Sequence, residues 1–586
     1  MDYIHFLFLV LQVFLMGFIP GRVLTNLLPY DKEIKAAASF AVSFFIYYLV
    51  GFLTYIFKLP ASPIHLGLFL TFLIIFFLKV FQGKLLNKNE LGFVGIYFLL
   101  FLVVVSLQGL LPFYAGGFWY FDWFEHYQRS LFFTRHLPLN FQFGPYLLTA
   151  RPPFFNIVVS FYQSVIGREF YHYQIIATLL NLCIALPVYL FCRDYFGLKK
   201  LKNLMLLISA LILFNPAIMQ QATFTWTKSL SAYFILLALF FYLFARDKNH
   251  QPSSYLSSLL LAGGFITHYS SLGYIIPVFL DYILLTFLIF KKRLLPLIIS
   301  IFIIVSISFT WFGFAIRNYG LYNTFLGNTS YEWTKNMTFS NRLEKDITNF
   351  TYTFLPLISG SFLNYIKPQT SFLVKIFDLS TYFYFDTFPG SITLTLYALI
   401  VLYVLLNLKK WLINLLKINK NFLRIFSGSK YFFVFFIVGS IPFNLIVYPA
   451  LTNVTASIIF FPLTLLLFSY GISRLIYFGK HLPKFILVII TSTIILEAIL
   501  GVILRVFVLQ TELNPNFNYK LKNPLLYHYQ TLPVHMDNWN LKINNNLIFL
   551  YDRFPSLKPT FLVLVFSAWV FSFFILKKIL RGKSGN

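Results

Sequence analysis

Charge is what this sequence lacks. Only 11% of its 586 residues are Asp, Glu, Lys or Arg, against roughly 25% in an ordinary soluble domain, and that shortage excludes a soluble globular protein. Acids are the scarcer sign, 19 against 46 Lys and Arg. Cysteine is nearly missing too. The two present, Cys183 and Cys192, fall in one expected helix at a spacing that turns them to opposite faces at 100° per residue, so they spell neither a disulfide framework nor a zinc site. Internal repeats, low-complexity linkers and soluble-domain boundaries are absent as well, which leaves a single membrane domain.

What is abundant is apolar: 59% of the chain is hydrophobic. Uncharged runs near the ~20 residues needed to cross a bilayer recur from beginning to end, and they do not alternate as the strands of a membrane barrel would. The expected fold class is therefore an all-α polytopic membrane protein with about fifteen transmembrane helices. They fall near 2–19, 37–57, 62–81, 91–112, 171–192, 203–219, 228–245, 254–269, 271–290, 295–315, 387–408, 431–450, 455–475, 484–509 and 559–577. The stretch around "THYSSLG" reads either as two tight spans or as one long helix with a re-entrant break.

The net charge of +27 would suit a nucleic-acid partner, but its distribution follows topology. With the first residues placed outside, short inward segments collect Arg22, Lys32 and Lys35, then Arg193, Lys199, Lys200 and Lys202. Lys291, Lys292 and Arg293, the run from Lys409 to Lys430 and the tail Lys577 to Lys583 continue the series, as the positive-inside rule requires. The charge thus reports orientation and no nucleic acid is expected. The first stretch has no basic residues ahead of it and reads as an uncleaved span, with the amino end outside, the carboxyl end cytoplasmic and the plasma membrane as the expected location.

Under this assignment residues 1–112 are amino-terminal spans, 113–170 a first long outward loop, and 171–315 central spans. Residues 316–386 form a second outward loop, 387–509 further spans, 510–558 a third outward loop, and 559–586 the last span with its basic tail. Long loops on a rigid scaffold are where chemistry concentrates. The first contains "GGFWYFDWFEHYQRSLFFTRHLPL", in which a helix over 121–132 would put Asp122, Glu125, His126 and Arg129 on one polar face opposite Trp123, Phe124, Tyr127 and Leu131. Such a helix is expected to lie in the membrane interface with its acids at headgroup level. "TARPPFFN" follows, where Pro152 and Pro153 force an extended entry at Arg151 into a short apolar helix at 154–166.

An acidic motif in a loop after a crossing, an R-P-P-hydrophobic segment, and a span closing at "LPVYLFCRDYFG" resemble the GT-C membrane glycosyltransferases, nearest to the family 39 and ArnT-like group that includes protein O-mannosyltransferases and lipid A aminoarabinose transferases. "FNPAIMQQATFTWTKSLSAYFILLALFFYLF" and "AGGFITHYSSLGYIIP" fit the spans that follow, so that the resemblance covers roughly residues 91–315. The acidic loop usually follows the first span of that group and here follows the fourth, implying three added amino-terminal spans. Many mannosyltransferases carry adjacent acids, whereas Asp122 and Glu125 are three apart.

The resemblance implies transfer of a sugar from a polyprenyl-phosphate donor to a lipid, glycan or protein acceptor on the outer side, with inversion. It makes Asp122 the base for the acceptor hydroxyl, with Glu125 as second candidate. Cations would stabilise the departing phosphate, and Arg129, Arg135, Arg151 and Lys228 are the candidates. His126 is expected as a hydrogen-bonding partner, and His268 and Tyr269 stand at an outward helix break. No cofactor is required, although Asp122, Glu125 and His126 could together hold a divalent cation; Lys228 reads equally as a snorkelling interface lysine.

Two rival readings stay open. A transporter would favour repeated halves and polar groups at the midplane, whereas this chain concentrates its ionisable groups in outward loops. Of the three charged residues inside expected spans, Asp281 and Glu497 are expected as bundle-facing polar contacts and Arg505, near an outward end, as a snorkelling arginine. A lipid-linked polysaccharide polymerase or ligase would work through later loops, at Arg317, Arg342, Lys345 or His535. The acidic first loop followed by "RPPFFN" favours the transferase. Sequons begin at Asn328, Asn336, Asn349 and Asn453, all on the expected outer side.

Overall fold

A computed structural model describes residues 2–83, 85–111, 122–143, 146–284, 294–327, 336–354, 398–407, 429–447, 460–481, 483–503 and 548–580. Their regular structure is helical, with no strand among the described residues. Nine helices among them are long and apolar enough to cross a membrane. The helices are α1 (Asp2–Thr25), α2 (Lys32–Ile56), α3 (Ala61–Phe81), α4 (Lys88–Gln108), α5 (Asp122–Thr134), α6 (Phe154–Ile166), α7 (Phe170–Leu182), α8 (Ala185–Leu190), α9 (Leu204–Leu213) and α10 (Pro216–Thr223). There follow α11 (Lys228–Lys248), α12 (Gln251–Thr267), α13 (Leu272–Leu284), α14 (Leu295–Phe325), α15 (Phe339–Phe354), α16 (Ala398–Asn407), α17 (Ser429–Val447), α18 (Phe461–His481), α19 (Lys484–Ile503) and α20 (Lys558–Leu580).

The expected span at 203–219 is divided: Asn215 caps α10 by accepting from the Ile218 amide at 2.9 Å, and Pro216 occupies the first position of the new helix. The "THYSSLG" segment is a turn between two helices. Near the far end of α13, Tyr282 meets Ser254 at the start of α12 (3.0 Å), so α12 and α13 run antiparallel, and Ser231 of α11 holds Ser271 at the turn (2.7 Å).

The amino-terminal helices α1 and α2 are part of the core, whereas α3 is mostly exposed. Gly21 of α1 faces α2 so closely that a Cβ there would strike the Ser39 carbonyl, and its amide donates to the Ser43 hydroxyl (2.7 Å); a small residue permits this approach of two backbones. In turn α2 supports α6. Phe161 of α6 lies between the rings of Tyr47 (3.9 Å) and His65 (4.1 Å), and Phe154 stacks on Tyr48 (4.8 Å). Deepest of all are α7, α8 and α11, which are buried almost throughout.

The bundle has two distinct ends. At one, α1 and α20 begin together, with Ser556 donating to Asp2 (2.7 Å) and Tyr3 bonded to Thr560 (3.0 Å). At the other, Arg22 pairs with Glu90 out of water, and Arg193 joins Asp31, Glu33 and Asp194 at 2.9, 2.6 and 2.6 Å. The intramembrane acid Asp281 faces the bundle as expected, bonded to Tyr242 and 3.6 Å from Arg246. Glu497 is half-buried on α19, while Arg505 lies outside the described residues.

Candidate functional site

The acidic segment folds as the helix α5, at the end of the bundle where α1 and α7 begin: Tyr127 donates to the Arg168 carbonyl (2.9 Å) and packs its ring on Phe170 (5.1 Å). The expectation of a helix lying open in the interface is corrected. Glu125, His126, Gln128, Arg129 and Ser130 are all buried, because a polar face so rich in donors is covered by groups that accept from it. Asp122 is the first residue of α5, and its side chain lies outside the described residues.

Arg129 spends its guanidinium on the fold. Nε donates to Glu125 (2.8 Å), Nη1 to the Leu148 carbonyl (2.7 Å) and Nη2 to the Leu147 carbonyl (3.0 Å), with the Phe143 ring centroid 4.4 Å away. These bonds tie down the short turn Leu148–Ala150 that delivers Arg151. From the other side Tyr269 donates to the Thr149 carbonyl (2.9 Å), and the Thr149 hydroxyl donates to the carbonyl of Asn323 at the end of α14 (2.8 Å). Tyr269 therefore acts on the loop. Gly320 makes this reach possible: φ 78° and ψ 167° inside α14 lie in a region essentially restricted to glycine, and they redirect the last turn over the loop.

Glu125 sits between two guanidiniums, 2.7 Å from Arg129 and 3.6 Å from Arg151. Burial pushes its carboxyl up, but Arg151, Arg129 and His126 outweigh it and hold the group below the usual range. A carboxylate so held is a weak base and serves to assemble the arginines. Burial pushes the His126 imidazole down to about 3, with Glu125 opposing and Arg151 and Arg129 adding to the shift, so the ring is neutral; its Nδ1 bonds Asn156 Oδ1 at 3.2 Å.

Arg151 has extended backbone (φ −132°, ψ 137°), as the following proline demands, and its side chain is 16% exposed. Lys228 begins α11, buried, with its ammonium 5.6 Å from the Trp226 ring centroid, which replaces the snorkelling alternative with an inward position. Trp226 is itself fixed by donating to Gln221 (2.9 Å). His268, bonded to Ser270 (2.7 Å), lies within electrostatic reach of Lys228, Arg151 and His126. One place thus gathers Glu125, His126, Arg129, Arg151, Lys228 and His268 from distant parts of the chain.

Arg135 stands apart, exposed beyond the end of α5. Arg317 is exposed on α14, Arg342 and Lys345 are half-buried on α15, and His535 lies outside the described residues. Among the described residues no group of three or more His, Cys, Asp or Glu could hold a metal ion, and Glu125 faces guanidiniums where a cation would have to sit. Asn156 and Thr149 are site residues that sequence reasoning missed. Both lie in "TARPPFFN", and only their hydrogen bonds single them out. No protein-family model, curated protein or solved structure matches the chain.

Proposed function

We propose that the chain is a membrane-embedded glycosyltransferase that passes a sugar from a polyprenyl-phosphate carrier to an acceptor hydroxyl at the α5 end of the bundle. The observation that carries the reading is that His268 lies within electrostatic reach of Arg151, Lys228 and His126, the last on the helix that opens with Asp122. A departing lipid phosphate gains negative charge as the sugar–oxygen bond breaks, and preorganised cations in a water-poor site stabilise it. Arg151 offers a fork for phosphate oxygens and Lys228 a point charge. Neutral His126 and His268 supply hydrogen bonds without adding charge.

Asp122 takes the proton of the acceptor hydroxyl as its oxygen bonds the anomeric carbon, and the phosphate leaves with the electron pair. The acceptor is a lipid, glycan or protein. The plasma membrane, with the α5 end outward, is the setting that the positive-inside pattern favours. Purified protein in vesicles, offered labelled polyprenyl-phosphate sugars together with membrane extract as acceptor source, should yield a labelled product and free carrier phosphate. Intact donor under every condition would remove the reading.

A further inference from the structure

We propose that Arg474 and the tyrosines around it form a seat for the phosphate of an anionic phospholipid, at the end of the bundle opposite the candidate site. Arg474 lies on the membrane-spanning helix α18, next to Ser473, whose hydroxyl donates to the Phe196 carbonyl (2.8 Å). Five residues before Arg474 in sequence, the Ser469 carbonyl accepts from the Cys192 thiol (3.4 Å). Both contacts place it beside the Arg193 end.

Three rings surround its guanidinium, with centroids 4.5 Å (Tyr403), 5.0 Å (Tyr470) and 5.4 Å (Tyr477) from Cζ. The rings attract the cation but do not accept its in-plane N–H groups. Nη2 donates to Ser473 at 3.3 Å, and the buried Nε has no hydrogen-bond partner. Among the described residues no carboxylate forms an ion pair with Arg474, in contrast to Arg22, Arg129 and Arg193 on other helices.

A guanidinium in a span without a carboxylate is costly, and a donor buried without an acceptor adds to the cost. Phosphate oxygens answer both, accepting from the fork in its own plane. The ligand would arrive from the bilayer, because the seat is on a spanning helix and its rim residue Tyr477 is 47% exposed. Basic pockets between spans on the cytoplasmic side bind phospholipid headgroups, and the positive-inside pattern puts this end there.

The test is native mass spectrometry of the full chain in detergent with phosphatidylglycerol, phosphatidylcholine or inorganic phosphate added. Wild-type protein should retain one phosphatidylglycerol in preference to phosphatidylcholine and should not retain inorganic phosphate. Arg474→Gln should weaken that retention by about ten- to a hundredfold, the range expected for charged hydrogen bonds. Should that variant fail to fold, Tyr477→Ala, at an exposed rim position, should weaken it severalfold. Undiminished phosphatidylglycerol retention in the folded variants, or equal retention of inorganic phosphate, would overturn the proposal. The readout is binding, so it stands or falls independently of sugar transfer.

Discussion

Arg129 and Glu125, one turn apart on α5, are joined at 2.7 Å with both side chains withdrawn from solvent. Removing one partner of a buried pair costs about 3–5 kcal/mol, because the other charge stays behind. Glu125→Gln should therefore lower the melting temperature markedly, whatever its effect on activity. A variant that melts with the wild type would mean that the pair does not hold the loop. The same residues set an acid limit. Glu125 is held below its unfolded value of about 4.3, so its contribution is present above that pH and is lost as pH falls through the lower folded value. His126 titrates at about 3 in the fold and about 6.5 unfolded, so its contribution wanes from about pH 6.5 downward. Thermal melts should fall steadily between pH 6.5 and 3; a flat profile would contradict the burial of both groups.

The two arginines of the site should separate in experiment. Arg151→Ala should lower melting less than Arg129→Ala, since its pairing with Glu125 is longer (3.6 Å) and it is partly exposed, and should raise the donor KM by about ten- to a hundredfold, the value of lost charged hydrogen bonds. Arg129→Ala should unfold the loop, since the Leu147 and Leu148 carbonyls lose their donor. Equal effects of the two changes on melting and on KM would refute this division.

Asp122→Asn should lower kcat by about 10²- to 10⁴-fold, the usual weight of a positioned base, with donor KM and melting temperature little changed. Retained turnover would transfer the role to another group.

Gly320→Ala places a side chain where the backbone has φ 78° and ψ 167°, at a cost of about 1–3 kcal/mol. Relief comes by straightening α14, which would pull Asn323 from Thr149. Hydrogen exchange at residues 148–151 should rise and donor KM with it. Unchanged exchange in the Ala variant would show that the last turn of α14 does not position the loop.

Much was legible beforehand because local chemistry specifies it. The helix at 154–166 follows from a proline pair and an apolar run, and the structure has it at Phe154–Ile166. The α5 helix follows from its periodicity. What periodicity could not tell is whether a polar face meets the membrane interface or protein: Glu125 and Arg129 read as lying at headgroup level, yet they are buried, with the Leu147 and Leu148 carbonyls accepting from Arg129 and Tyr269 of the α12–α13 turn holding the same loop through Thr149. For the same reason Arg129 read as a phosphate ligand, although the fold consumes its donors.

The scarcity of charge and the spacing of apolar runs determine by themselves that this chain is a helical membrane protein, since only satisfied backbones can sit in hydrocarbon. They also divide the cations so that one end is basic, which sets an expected orientation. Tertiary structure alone decided that the amino-terminal helices α1 and α2 belong to the core while α3 stays mostly exposed, that "THYSSLG" is a turn, and that His268 comes within electrostatic reach of Arg151, Lys228 and His126. Those outcomes depend on contacts between residues far apart in sequence, such as Tyr47 with Phe161 and Tyr269 with Thr149, and no local pattern encodes which distant partner a buried polar group will find.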